Sequence, residues 1–322
     1  MEDKNAIRRV LLTAFCMLTI MLIIGAPPCM AGVTIAEKSG KVAVAGNKVY
    51  CVFDDGVKCK LKKYNLKTKK SMVLKTYKGS PPTVGGDAYF ESIDNISVKG
   101  KYVYYELSKS AEDSDGSCFE GIYRIKTNGK SVKRLAYGSD PIIAGNWIYY
   151  KEWVKTNNGH ASTGYLSRMK LDGTSKKRLM WIGKPLSMDS TAKELYKYGN
   201  ELLYSPSYGS TTLYSLSGKQ YSLWNRMRGP RRAYERVYQR IGSYLFYTSR
   251  SGNSVSVYRR KASGGSDKKI YTLDSTLTYF SATSKYLVLA TWNNDTGKSY
   301  PNDTNRILLL NESGKVVAKI KG

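Results

Sequence analysis

Arg226, Arg228, Arg231, Arg232, Arg236 and Arg240 form the densest cluster of reactive side chains in the sequence, with Trp224, Tyr234 and Tyr238 interleaved among them. Guanidinium groups are planar forks that match sulfate, phosphate and carboxylate, and neighbouring rings stack on sugars or bases. The cluster is read as a binding patch for an anionic partner such as a wall polymer or an acidic glycan. A solvated basic loop is the alternative reading of the same composition. Nucleic acid stays among the anionic partners, although no helix or RNP-type motif accompanies the charge.

Other chemistry is sparsely supplied. Glu112, Asp113, Asp115 and Glu120 offer oxygens to a hard cation but lack the spacing of a calcium loop, so no metal site is expected. Thr296-Gly297-Lys298-Ser299 imitates the end of a phosphate loop, yet Trp292 stands where the upstream glycine belongs and Tyr300-Pro301 replaces the helix. The only histidine is His160, in a turn, which excludes multi-histidine metal centres. No Gly-x-Ser-x-Gly elbow is present. The expectation is a protein without cofactor that is not an enzyme. A carbohydrate-active lyase or hydrolase on the same scaffold is the enzymatic alternative.

The net charge of +27 belongs almost wholly to the part after residue 32, because Glu2 and Asp3 nearly balance the cations before it. Such an excess implies anionic surroundings, or it serves solubility alone, in which case the chain is a protein-interaction module with incidental charge. Arg8 and Arg9 precede an apolar run from Val10 to Ala26, and Pro27 to Gly32 follows as a small-residue zone. This reads as an export signal over residues 1–31, cleaved after Ala31 or kept as a signal anchor. The protein is thus expected to be secreted or at the cell surface, tethered to the membrane only if the segment stays.

Beyond the signal remain Cys51, Cys59 and Cys118. Cys51 and Cys59 flank Asp54-Asp55-Gly56, and counting outward from Asp55 as a three-residue hairpin loop sets them opposite each other. They form either a cross-strand disulfide or two half-buried thiols. Cys118 falls in a loop as a free thiol or an intermolecular bridge.

The elements that must carry these residues come from a repeat. Residues 142–179 hold four apolar runs separated by Gly145-Asn146, the loop from Thr156 to Gly164, and Asp172-Gly173, which is the pattern of a four-stranded antiparallel meander. A turn followed by an apolar strand recurs at Gly46, Gly100, Gly145, Gly199, Gly242 and Ser284, spaced by 42 to 54 residues. Ile122-Tyr123-Arg124-Ile125 with Asn128-Gly129 and Lys133-Arg134-Leu135, and Leu166-Ser167-Arg168-Met169 with Asp172-Gly173 and Lys177-Arg178-Leu179, supply a second signature. The 27 tyrosines against 6 phenylalanines suit half-wet strands. Six copies indicate an all-β, six-bladed β-propeller over residues 33–322, with blades near 41–77, 93–138, 139–182, 193–225, 235–275 and 276–322. Residues 33–37 either add a strand to the last blade or form a linker.

This double signature, over residues 41–322, resembles TolB-type propellers and the YWTD propellers of the low-density lipoprotein receptor class. It is most similar to the exported bacterial domain-of-unknown-function family set beside them. Ile148-Tyr149-Tyr150-Lys151 and Leu245-Phe246-Tyr247-Thr248 are the nearest echoes of Tyr-Trp-Thr-Asp. The resemblance implies the architecture, not a ligand.

In such a meander the first-to-second and third-to-fourth strand turns share one face, and they are short here. The insertions, Lys78 to Ser92, Ser108 to Gly121, Thr156 to Gly164, Arg226 to Glu235 and Asn293 to Asn305, fall on the other face. Long loops on a rigid scaffold are where binding residues sit. The expected function is an extracytoplasmic, monomeric binding or scaffold propeller that engages an anionic polymer or a protein through its long-loop face.

Overall fold

A computed structural model describes residues 36–37, 40–54, 58–78, 89–111, 118–155, 161–182, 194–198, 201–205, 212–215, 220–221, 239–251, 254–273, 276–292 and 306–322. Every regular element among them is a β-strand. The signal segment, Cys118's side chain, His160 and the acidic loop residues 112–117 lie outside that description.

The strands group into up-and-down antiparallel meanders in chain order. The first comprises β2 (Val42–Ala45), β3 (Lys48–Asp54), β4 (Lys58–Asn65) and β5 (Ser71–Lys78). The second runs through β6 (Tyr89–Lys99), β7 (Tyr102–Ala111), β8 (Cys118–Lys126) and β9 (Lys133–Ala144). The third continues from β9 through β10 (Trp147–Lys155), β11 (Ala161–Lys170) and β12 (Lys177–Trp181). The fourth is β13 (Glu194–Tyr198), β14 (Glu201–Ser205), β15 (Thr212–Ser215) and β16 (Gln220–Tyr221). The fifth is β17 (Gln239–Ile241), β18 (Tyr244–Ser251), β19 (Ser254–Lys261) and β20 (Lys268–Leu273), and the sixth is β21 (Thr276–Ala282), β22 (Leu287–Trp292), β23 (Arg306–Leu310) and β24 (Val316–Lys321). The fold is a β-propeller built of antiparallel blades.

Second strands are apolar on both faces because each blade is covered by a neighbour on either side. On β3, Val49, Cys51 and Phe53 pack with Val288, Ala290, Ile307 and Leu309 of the sixth meander. Tyr50 and Val52, on the opposite face, pack with Ile93, Val103 and Tyr105 of the second. The last blade therefore rests on the first. Similar cores join the second to the third blade and the fifth to the sixth.

One side of the blades is clamped by a repeated set of contacts. Lys63 Nζ donates to Thr127 O at 2.8 Å, Arg124 Nη1 to Leu171 O at 3.1 Å and Arg259 Nη1 to Glu312 O at 3.0 Å, each reaching the third-to-fourth strand turn of the next blade. The guanidinium groups of Arg124, Arg168 and Arg259 lie over Tyr102, Trp147 and Tyr244 at 4.4 to 4.5 Å. In the same turns a glycine at positive φ approaches the outer strand of the preceding blade: Gly129 meets Leu74, Gly173 meets Leu135 and Gly314 meets Ile270.

Three expectations are corrected. Residues 36–37 form β1 (Ala36–Glu37), and it pairs with β13, Ala36 opposite Tyr198 and Glu37 opposite Lys197, not with the last blade. Cys118, expected in a loop, instead opens β8 opposite Ser110. β9 crosses the boundary placed between residues 138 and 139, and its partner changes there: residues up to Tyr137 pair with β8 and those from Gly138 onward with β10. Pro141 is tolerated there because β9 and β10 shift register between Tyr149 and Lys151, while Gly138 and Asp140 take positive φ.

The third concerns the thiols. Asp54 is opposite Cys59 and Cys51 is opposite Lys62, so the hairpin loop is longer than the three residues centred on Asp55. The register moves by an odd number of residues, which turns the two side chains to opposite sheet faces. Cys51 accordingly lies in the core against the sixth blade and Cys59 in the core against the second, both as free, buried thiols. Burial pushes the Cys51 thiol up to about 12, with Lys62 opposing weakly, and burial together with the Asp54 carboxylate raises Cys59. Neither is a nucleophile near neutral pH.

Candidate functional site

The first strand runs from the side of the long connections toward a short turn, of two residues in the first, second and third blades and four in the sixth. Five positions before Gly46, Gly100, Gly145 and Ser284 stand Lys41, Asn95, Asp140 and Tyr279, and six positions after them stand Val52, Glu106, Lys151 and Ala290. In the first and sixth blades these positions face one another, as Val52 N donating to Lys41 O and the pairing of Tyr279 with Ala290 show. In the second and third a register shift sets Asp94 opposite Glu106 and Ser139 opposite Lys151, with Asn95 and Asp140 one residue along. In the second and third blades both positions are polar.

The two polar pairs meet at the blade junction. Asn95 Nδ2 donates to Glu106 Oε2 at 2.8 Å and to Asp140 Oδ1 at 3.3 Å. Asp140 N donates to Glu106 Oε2 at 2.7 Å, and Lys151 Nζ forms an ion pair with Asp140 Oδ2 at 2.8 Å. Exposure is 7% for Glu106, 5% for Asp140 and 6% for Lys151, so two carboxylates and one ammonium are held out of water. Such groups persist inside a protein only when paired and hydrogen-bonded. Asn95 and Asp140 both adopt a left-handed backbone, at φ of 51° and 52°, a conformation that Asn and Asp accept more readily than other side chains.

The neighbouring residue Glu152 points the other way. Its Oε1 accepts from Arg178 Nε at 3.0 Å and Nη2 at 2.8 Å, and its Oε2 accepts from Ser167 Oγ at 2.6 Å. Burial alone would raise its pKa, but the Arg178 and Ser167 hydrogen bonds outweigh that and leave it lowered. A carboxylate with a lowered folded-state pKa adds stability above its unfolded value, about 4.3, and loses it as pH falls through the folded value. The expected result is that Glu152→Gln flattens the acid limb of the stability profile below about pH 4.3. Urea midpoints taken across that range check it, and an unchanged acid limb would contradict it.

The sequence pattern alone did not expose this network. The signal was present in the repeat: once blades are aligned on their turns, Glu106 and Lys151 occupy a position filled by Val52 and Ala290 elsewhere. Of the residues singled out for anion binding, only Arg240 is described. It lies on β17 opposite Leu245, exposed, and its Nε donates to Gly242 O at 2.9 Å. Trp224, Arg226, Arg228, Arg231, Arg232, Tyr234 and Arg236 lie outside the described residues, within the connection from β16 to β17. That connection, like 79–88, 112–117 and 293–305, joins strand ends on the side away from the clamping turns. Among the described residues, no group of three or more His, Cys, Asp or Glu side chains is arranged to hold a metal ion.

No family model matches the chain, and no curated protein matches it. Among solved structures it is similar to the acylaminoacyl peptidase of Pyrococcus horikoshii, at 14% identity over 88% of this chain and 45% of that one, with a TM-score of 0.40. It is also similar to TolB from Acinetobacter baumannii, at 13% identity over 85% of this chain and 64% of that one, TM-score 0.43. A chain of the nidogen/laminin complex aligns at 12% identity over 85% of this chain and 94% of that one, TM-score 0.43. The chain spans about half the length of that peptidase and of AtxE2 isopeptidase, covering 45% and 52% of them. Peptidases thus stand among the chains it is similar to, and the expectation of a protein that is not an enzyme is withdrawn.

Proposed function

We propose that the protein is an exported binding or scaffold propeller of six blades closed in a ring. Its long-loop face engages an anionic polymer outside the cell, with Arg226, Arg228, Arg231, Arg232, Arg236 and Arg240 as the gripping groups and Trp224 and Tyr234 beside them. The packing of the sixth blade on the first supports ring closure. The observation that carries the binding reading is the segregation of charge. Against a net charge of +27, Glu106 and Asp140 are buried and Glu152 is engaged by Arg178 and Ser167, so these acids do little to neutralise the cations outside.

The test is retention of the purified protein on wall polymers and acidic polysaccharides at two salt concentrations. Binding carried by guanidinium groups weakens as ionic strength rises, because exposed charges are screened. Arg231→Ala combined with Arg232→Ala is expected to weaken retention by about tenfold or more, since each charge-assisted hydrogen bond lost is worth about 1.5–3 kcal/mol. Unchanged retention by the double variant, with the unfolding transition intact, would sink the arginine patch.

A further inference from the structure

The face opposite the long connections has its own charge pattern and its own relation to the start of the chain. The turn between β4 and β5 exposes Lys67, Lys69 and Lys70. Lys101, Lys130, Lys176, Lys285 and Lys315 are exposed one apiece on five other short turns of the same face. Against these eight lysines the described short turns carry three acids, Asp172, Asp267 and Glu312. Asp172 is occupied by the Thr174 backbone and hydroxyl at 2.9 and 2.6 Å, and Asp267 accepts from Tyr247 Oη at 2.8 Å. The lysines are also distinct from the cations of the interblade clamp: Lys63, Arg124 and Arg259 are spent on carbonyls between blades. What remains is an annulus of exposed ammonium groups on one end of the blades.

The first described strand shows from which end the chain arrives. β13 leads into the two-residue turn before β14, since Tyr198 pairs with Glu201 across it. β1 is antiparallel to β13, with Ala36 opposite Tyr198 beside that turn and Glu37 opposite Lys197 one step farther from it. The chain therefore runs into β1 from the short-turn side, along the inner edge of the fourth blade, before entering β2 of the first. The residues ahead of Ala36 include the apolar run from Val10 to Ala26 with Arg8 and Arg9 before it.

The chain that carries the apolar run enters its first described strand at one end of the blades, and a ring of ammonium groups surrounds that same end; an apolar segment and a set of cations are together complementary to a flat layer that is hydrocarbon inside and anionic at its head groups. We propose that the short-turn face lies against an anionic lipid bilayer, leaving the long-loop face turned away from it. Lysines near such a surface act as additive point charges, each strengthening association about fivefold at ordinary ionic strength. The inference does not rest on the polymer reading above, because the two faces share none of these residues.

The experiment is co-sedimentation of the full chain with vesicles of phosphatidylcholine alone and of phosphatidylcholine with phosphatidylglycerol. Partition to the anionic vesicles is expected to exceed partition to the neutral ones and to fall with salt. Lys67→Gln, Lys69→Gln and Lys70→Gln combined should lower the anionic partition by about a hundredfold at most and tenfold at least. The Arg231→Ala, Arg232→Ala variant should leave it unchanged. Equal partition to both vesicles would mean that the apolar run alone binds, and the proposal fails. It fails equally if the arginine variant loses as much as the lysine variant, which would make the long-loop face the docking surface. Dextran sulfate separates lipid from polymer: if the lysine variant loses soluble polyanion binding to the same extent as vesicle binding, the face is a general polyanion surface and the bilayer assignment is overturned.

Discussion

Alanine at Gly314 lowers the unfolding free energy by about 2–4 kcal/mol, the sum expected from a strained backbone and an overpacked contact. Gly314 sits at φ of 89° in the turn between β23 and β24, and a Cβ there would fall 2.2 Å from Ile270 O and 2.9 Å from Ile270 C. The obstacle is main chain of the preceding blade, which cannot swing aside as a side chain can. Relief requires the fifth and sixth blades to separate, and that opens the shared core of Phe246, Val257, Leu289 and Leu308. Gly46→Ala is the control, since Gly46 has φ of 57° and nothing lies within 4 Å of the place its methyl group would take. It should cost only the left-handed strain, about 1 kcal/mol. Urea unfolding of both variants at constant m-value measures the difference. Equal losses would show that the interblade contact contributes nothing.

Lys151→Met is the second large effect. It removes the ammonium that pairs with Asp140 and leaves two carboxylates, Asp140 and Glu106, in a site almost closed to water. Breaking one half of a buried pair costs about 3–5 kcal/mol, because the remaining carboxylate loses its counter-charge without regaining water. Adding Asp140→Asn to Lys151→Met should recover part of that loss by removing the charge whose counter-ion is gone. Chemical denaturation of the single and double variants forms the cycle. A single-variant loss below about 1 kcal/mol would mean that water reaches the junction and the network is not the staple between blades that its burial indicates.

Much of the architecture was legible because its information is local. Gly-Asn and Gly-Lys turns before apolar strands recur at a regular interval, and the turn glycines at 46, 100, 145 and 242 all take positive φ. What escaped was whatever depends on register or on a neighbour. The thiols were misplaced by a loop count, since an odd slip sends Cys51 and Cys59 into different cores. Gly138, Asp140 and Pro141 mark the point where β9 leaves β8 for β10, and the positive φ of the first two depends on that change of partner. The Glu106–Lys151 network is invisible in either blade alone, because each polar pair finds its partner on the adjacent meander.

β9 gives the molecule a grain. It serves as the outer strand of one blade up to Tyr137 and as the inner strand of the next from Gly138 onward, so the chain passes between the two without a connecting loop. Each ladder stays within its own blade, and a change of angle between the second and third blades falls on the backbone from Gly138 to Pro141 and on the charged staple beside it. Where longer connections join the blades, as between β5 and β6, breathing of the propeller meets no such restraint from the chain itself.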